Sequence, residues 1–186
     1  MNWQVVRLAD VQPTAWRNGG GVTRELAAWP TAANWRWRIS VADIDSSGPF
    51  SRFDGVERWF GVLAGAGVEL NVNGVRQRLT AADAPFFFDG AATTTCQLLG
   101  GKSQDFNLML RQGGGPSRMR RVSDSLLVIV DAPKTIAVYA MDTGASVLFD
   151  DEKLDLPAHS LAWRTVTNKA TLRVSAAQAL CMEIPA

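Results

Sequence analysis

Arg36, Arg38 and Arg58, set among aromatic residues and close to Ser40 and Ser51, are the side chains of this sequence best suited to chemistry on a small molecule. They fall in or beside Trp35–Phe60, which reads WRWRISVADIDSSGPFSRFDGVERWF. A guanidinium grips a carboxylate through two parallel N–H···O bonds, and rigid apolar walls keep out competing water. Arg38 and Arg58 are therefore candidates to clamp an acid, with Asn18, Ser40, Ser51 and Asn107 orienting its other polar groups. Acid–base chemistry has fewer candidates. Thr23 and Glu25 share one face of a strand, and Asp105 and Asn107 share another. Glu25 or Asp105 could act as general base in a metal-independent isomerase or hydrolase, which is the runner-up reading.

The remaining motifs mostly exclude. The single histidine, His159, lies in the turn Leu156-Pro157-Ala158-His159, and Cys96 and Cys181 stand apart in apolar runs. Transition metals and zinc normally need two or more His or Cys ligands at short spacing, so no metal and no cofactor are expected. Each cysteine reads as a buried reduced thiol. No Gly-x-Ser-x-Gly or Cys–His signature is present, and no catalytic residue is assigned. Gly19-Gly20-Gly21 lacks the Gly-Lys-Ser/Thr end of a phosphate loop and has no long helix after it. Such a run instead marks a bulge where another backbone or a ligand comes close.

The elements that must position these groups are strands. Trp35, Trp37, Ile39 and Val41 alternate with Arg36, Arg38, Ser40 and Ala42, the period of a half-buried strand. If the tryptophans pack in one layer, Arg38 faces the other way, either into solvent or inward against a carboxylate such as Glu25. Val68–Val72, Asn73-Gly74 and Val75–Leu79 form a hairpin signal. Further short runs follow at Pro85–Phe88, Thr93–Leu99 and Asp105–Arg111. After Gly113-Gly114-Gly115-Pro116 come Met119–Val122, Leu126–Val130, Thr135–Met141, Ser146–Phe149, Ser160–Thr165, Thr171–Ala176 and Leu180–Ile184. Many short strands punctuated by Gly, Pro, Asn and Asp argue an all-β barrel or sandwich.

The two halves also resemble each other in order. Phe60–Val68 is like Tyr139–Val147, Leu79 with its following turn is like Leu156, and Phe106, Leu108 and Leu110 alternate as Leu180, Met182 and Ile184 do. This predicts a first barrel with the N-terminal strands over residues 1–112 and a smaller second barrel over 113–186. At 186 residues with 47% hydrophobic and 20% charged residues, the chain can bury a real core. A net charge of +1 gives no footprint for nucleic acid or an acidic membrane surface. No leader or membrane span is evident, so the expected location is cytoplasmic.

Four blocks, WRNGGGVTRE from Trp16, WRISVA from Trp37, GPFSRFDG from Gly48 with Arg58, and DFNLM from Asp105, resemble the HutD/Ves family of bacterial cupin-like proteins. The resemblance implies a two-barrel cupin fold (a bicupin, RmlC-like jelly roll) that usually lacks the metal-binding histidines of other cupins. The family takes its name from histidine-utilisation gene neighbourhoods. A role in sensing an intermediate such as N-formylglutamate is implied, while other members are linked to stress responses. The ligand-binding set expected here is Asn18, Thr23, Glu25, Arg38, Ser40, Ser51, Arg58 and Asn107. The expected partner is a small anionic carboxylate metabolite, with neither nucleic acid nor membrane, and a homodimer is one assembly open to the chain. A third class, a structural or partner-binding protein, would use Trp3, Trp16 and Trp29 as interface residues.

Overall fold

Period-two alternation of apolar residues organises nearly the whole chain, and the computed structural model, which describes residues 2–186, is all-β. In chain order the first strands are β1 (Gln4–Arg7), β2 (Thr14–Ala15), β3 (Gly21–Trp29), β4 (Trp37–Ile44), β5 (Gly48–Pro49) and β6 (Val56–Gly65). Next come β7 (Val68–Val72), β8 (Val75–Leu79), β9 (Phe86–Asp89), β10 (Thr94–Leu98) and β11 (Ser103–Arg111). The last are β12 (Arg118–Val130), β13 (Lys134–Ala140), β14 (Ala145–Phe149), β15 (Glu152–Leu156), β16 (Ser160–Val166) and β17 (Ala170–Pro185). Among the described residues the one helical turn is 3-10, Leu8–Asp10, and no helix is long and apolar enough to cross a membrane.

One unit comprises Val11–Gly113. Its six-stranded sheet runs β2-β3-β4-β11-β6-β9 and its four-stranded sheet runs β5-β10-β7-β8. Ala42, Ile44, Phe60, Val62 and Phe88 from the first sheet meet Val68, Leu70, Leu79 and Cys96 from the second in one buried cluster. The two inner faces thus close on each other as in a β-sandwich or barrel. On β4 the opposite face, Trp37, Ile39 and Val41, is buried as well. The half-exposed strand that alternation suggested is in fact covered on both sides.

The other unit is the segment ending at Asp10 together with Gly114–Ala186. Here the expectation needs correcting, because β1 does not join the first half. It pairs antiparallel with β16, Gln4 opposite Trp163 and Arg7 opposite Ser160, where its backbone groups find an otherwise open edge. Two pairs of expected strands are also single strands. β12 runs through a bulge between Val122 and Asp124, with Asp124 at φ 102°, and β17 runs unbroken along it. β15 was missed because Glu152-Lys153-Leu154-Asp155-Leu156 is mostly charged; the pairing to β14 holds it, through a turn with Asp150 at φ 50°.

The pairing pattern repeats between the units. β6 pairs β11 and β9, while the hairpin β7–β8 pairs β10 through β7. Correspondingly, β13 pairs the end of β17 and β16, while the hairpin β14–β15 pairs the start of β17 through β14. Hairpin register sets Leu79 against Leu156 as the sequence suggests, but Val68 against Ala145 rather than Val147. A similarity of alternating strands is equally good two residues out, so only the turns fix it.

Candidate functional site

The inner face of the six-stranded sheet carries polar groups in register. Across β4, β11 and β6, Arg38 opposes Met109 and Met109 opposes Arg58; one row on, Ser40, Asn107 and Phe60 are aligned. β3 sets Glu25 beside Ser40 and Thr23 beside Ala42 before its bulge between Glu25 and Ala27. These rows open onto a cavity of about 590 Å³ whose polar lining includes Asn18, Thr23, Arg38, Ser40, Ser51, Arg58 and Asn107. Seven of the eight expected binding residues therefore meet in one cavity. Glu25 does not line it but stands behind Arg38, with Oε2 2.8 Å from Arg38 Nε in an ion-pair contact too poorly aligned to count as a hydrogen bond. Arg36, the third arginine of the opening stretch, is exposed and outside the cavity, because it precedes β4.

The two arginines differ in kind. Arg38 has an acid partner and is about a quarter exposed. Arg58 is buried at 6% exposure, and its Nη2 donates to Asn107 Oδ1 at 2.9 Å. It has no ion-pair partner among the described residues, and its Nε has no hydrogen-bond acceptor. Phe50, Phe53 and Phe88 surround the guanidinium, with ring centroids 5.2, 5.7 and 5.0 Å from Cζ. Those faces stabilise a cation but satisfy no N–H. Burial, and then the charge of Arg38, pull the guanidinium down to about 10. A buried cation is costly unless an opposite charge pairs with it, and no acidic side chain among the described residues does so for Arg58.

Sequence reasoning expected aromatic walls from the Trp35–Phe60 stretch without saying which rings form them. Trp16, expected at an interface, lines the cavity and donates from Nε1 to Thr23 Oγ1 at 2.7 Å. Phe50 and Phe53 arrive from the Gly48–Asp54 segment, where Pro49 and two-residue β5 give no strand signal to find them by. Trp3 packs against the core of the other unit and Trp29 is half exposed, so the three tryptophans make no common surface. The Gly run resolves as backbone crowding: a Cβ on Gly21 would lie 2.4 Å from the Asp43 carbonyl oxygen. Asn18 Oδ1 meanwhile accepts the Gly20 N–H at 3.0 Å, fixing the loop that brings Asn18 to the cavity rim.

Two buried groups lie near the cavity without lining it. Asp105 is fully buried; its Oδ1 accepts from Ser103 Oγ at 2.9 Å and its Oδ2 has no partner. The Cys96 thiol is pushed up to about 12 by burial and then by Asp105, which makes it inert as a nucleophile. Cys181, equally buried, sits in the other unit, and both cysteines are free. Among the described residues no three His, Cys, Asp or Glu side chains gather as a metal would require. His159 lies exposed in its turn, 3.6 Å from Asp142.

By register, the second unit places Ile136, Val138, Ala179 and Cys181 where the first has Arg58, Phe60, Asp105 and Asn107. All four are buried in the apolar cluster of that unit. The repeat has a polar cavity on one side and a filled core on the other.

The profile of the family described as HutD matches residues 8–182. Protein Ves of Cronobacter sakazakii is 33% identical over 170 residues, covering 91% of each chain. An uncharacterised 21.2 kDa protein from the hutC 3′ region of Pseudomonas putida is 40% identical over 108 residues, and the match spans 57% of that relative's length and 57% of this chain. HutD from Pseudomonas fluorescens SBW25, solved in a formate condition, is 30% identical with a TM-score of 0.85, covering 98% of this chain and 97% of that one. An oxalate decarboxylase variant from Bacillus subtilis, 8% identical with a TM-score of 0.64 over 97% of this chain and 76% of its own, shares the cupin-like β fold alone.

Proposed function

The chain belongs to the HutD family, and from that premise we propose that it is a non-catalytic binding or regulatory protein for a small carboxylate metabolite. The observation that carries the reading is Arg58: a buried guanidinium, caged by three phenylalanines, open to a cavity and lacking an acid. A ligand carboxylate supplies the missing charge and takes the fork that Nε and its neighbouring amino group present, with Arg38 as the second cation. Ser40, Asn107, Thr23, Asn18 and Ser51 then orient neutral polar atoms. Neither candidate base stands against such a ligand: Glu25 is committed to Arg38, and Asp105 does not line the cavity. That favours binding over the isomerase or hydrolase reading.

The ligand class we favour is an intermediate of histidine utilisation such as N-formylglutamate, on the strength of the family and of the relative from a hutC region. The same proposal takes the two units as a pair of related barrels, the second having lost its site to Ile136 and Cys181. It also places the protein in the cytoplasm, without nucleic-acid or membrane partners. Thermal melts with formate, L-glutamate and N-formyl-L-glutamate, against neutral L-glutamine as control, test it. Concentration-dependent stabilisation by an acid, absent with glutamine and absent in Arg58→Met, is the expected result. Equal response to glutamine, or a full response in Arg58→Met, overturns it.

A further inference from the structure

Asp105 is the one buried acid of the Val11–Gly113 unit that no cation answers, and it lies two residues along β11 from Asn107, on the same inner face. That is a rise of roughly 7 Å along the strand from the residue that holds Arg58. We propose that filling the anion cavity is coupled to the uptake of one proton by Asp105. The inference rests on the reading of the cavity as an anion site.

The surroundings of Asp105 argue for a group poised between two states. From β4 it meets Ala42, with the Asp43 carboxylate close enough to oppose its charge; from β6 it meets Val62. From β10 the Cys96 thiol faces it, and on its own strand Ser103 supplies its one hydrogen bond. β3 brings Thr23 to the same row and Glu25, already paired with Arg38, to the next. An ionised carboxylate would want donors at both oxygens, yet Oδ2 has none. Burial pushes the carboxyl up, the Ser103 bond pulls it down, and Asp43 pushes it up again, to about 7 overall.

With the cavity empty, the charge of Asp105 is opposed by burial and by Asp43, and no cation among the described residues offsets it. A carboxylate bound against Arg58 adds a further anion to the same interior. Two anions in one poorly solvated interior then oppose each other, and the cheaper outcome is a neutral Asp105. Affinity for the acid must therefore be highest below the carboxyl's titration in the empty protein. It weakens as pH rises through that point and levels off once the bound form has also lost its proton.

Isothermal titration of the full chain with N-formyl-L-glutamate, between about pH 5.5 and about pH 9 in buffers of differing ionisation enthalpy, reads this directly. The expected result is net proton uptake that is greatest just above neutrality, and a Kd that weakens by about tenfold across the range for each unit by which the ligand raises the carboxyl. Asp105→Asn should abolish both. Ser103→Ala, which removes the bond favouring the ionised form, should move the midpoint to higher pH, and it decides the matter if the asparagine variant does not fold. Binding that is strong but independent of pH, or proton uptake retained by folded Asp105→Asn, overturns the coupling and leaves the anion site standing. No binding at any pH overturns both.

Discussion

Glu25 Oε2 lies 2.8 Å from Arg38 Nε across the β3–β4 ladder, one register step past Ser40 on the face that looks into the cavity. The contact neutralises Arg38 and leaves Arg58 as the cation that the fold does not answer. Both partners keep between a quarter and a third of their side-chain surface. The pair is thus a rim feature and not a buried triad, and its contribution to stability is that of a partly screened ion pair.

Arg38→Ala, Glu25→Ala and the double variant should accordingly show a coupling free energy of no more than about 1 kcal/mol in urea unfolding. The inward placement alone would suggest several times that for a fully buried charge, so exposure is what decides. Stabilisation by a carboxylate should drop in Arg38→Ala and persist in Glu25→Ala. A coupling above about 3 kcal/mol would mean that the pair is far drier than its exposure implies.

Gly21 faces the Asp43 carbonyl so closely that any Cβ must displace backbone. Gly21→Ala should therefore cost about 1–3 kcal/mol, the usual range for overpacking. Ala substitution at Gly48, which has open space around its Cβ position, should cost far less. Paired urea titrations check the contrast. Equal midpoints would show that the β3–β4 ladder shifts freely to admit the methyl group.

Asp105 makes stability pH-dependent even without ligand. Its carboxyl is raised to about 7 in the folded protein from 3.8, so between those values the native state holds a proton that the unfolded chain has lost. Stability from this group therefore falls as pH rises from the unfolded value, and the penalty is complete above the folded one. About 3 units correspond to roughly 4 kcal/mol as an upper figure. Wild type should lose ground to Asp105→Asn between pH 5 and pH 8 in chemical unfolding. Parallel profiles for the two proteins would place the carboxyl's titration elsewhere.

The inward face of β4 was legible because Trp37, Ile39 and Val41 force Arg38 and Ser40 to the other side. Glu25 could be named as the partner by the same alternation on β3. What alternation could not supply is the third dimension. Nothing in the spacing says that Phe50, Phe53 and Phe88, from a short loop and an edge strand, enclose Arg58. Nor could it show that residues 4–7 reach across the sequence to β16, since pairing partners are chosen by an open edge and not by proximity in the chain. Unbroken β12 and β17 were hidden by Ser123, Asp124 and Ala176–Gln178, whose weak strand propensity is overridden by mutual pairing.

Arg58 separates stability from binding more sharply than any other residue. Its charge is costly to bury, as the fall to about 10 through burial and the neighbouring Arg38 records. Against that cost stand three phenylalanine faces, worth about 0.5–2 kcal/mol each, and the bond to Asn107. Arg58→Met keeps much of the volume, removes the desolvation penalty and leaves Asn107 Oδ1 to find another donor, at about 1–3 kcal/mol. These opposing terms should nearly cancel, so the ligand-free protein should unfold within about 1 kcal/mol of wild type. Affinity for a carboxylate should behave quite differently. Losing one partner of a buried charge pair costs about 2–5 kcal/mol, a thirtyfold or greater weakening. Arg58→Lys should fall between, since it keeps the charge and loses the fork. The measurement is unfolding free energy and ligand affinity on the same three proteins. A Met variant that binds as wild type does, or one that loses binding only because it no longer folds, would remove Arg58 as the anchor of the site.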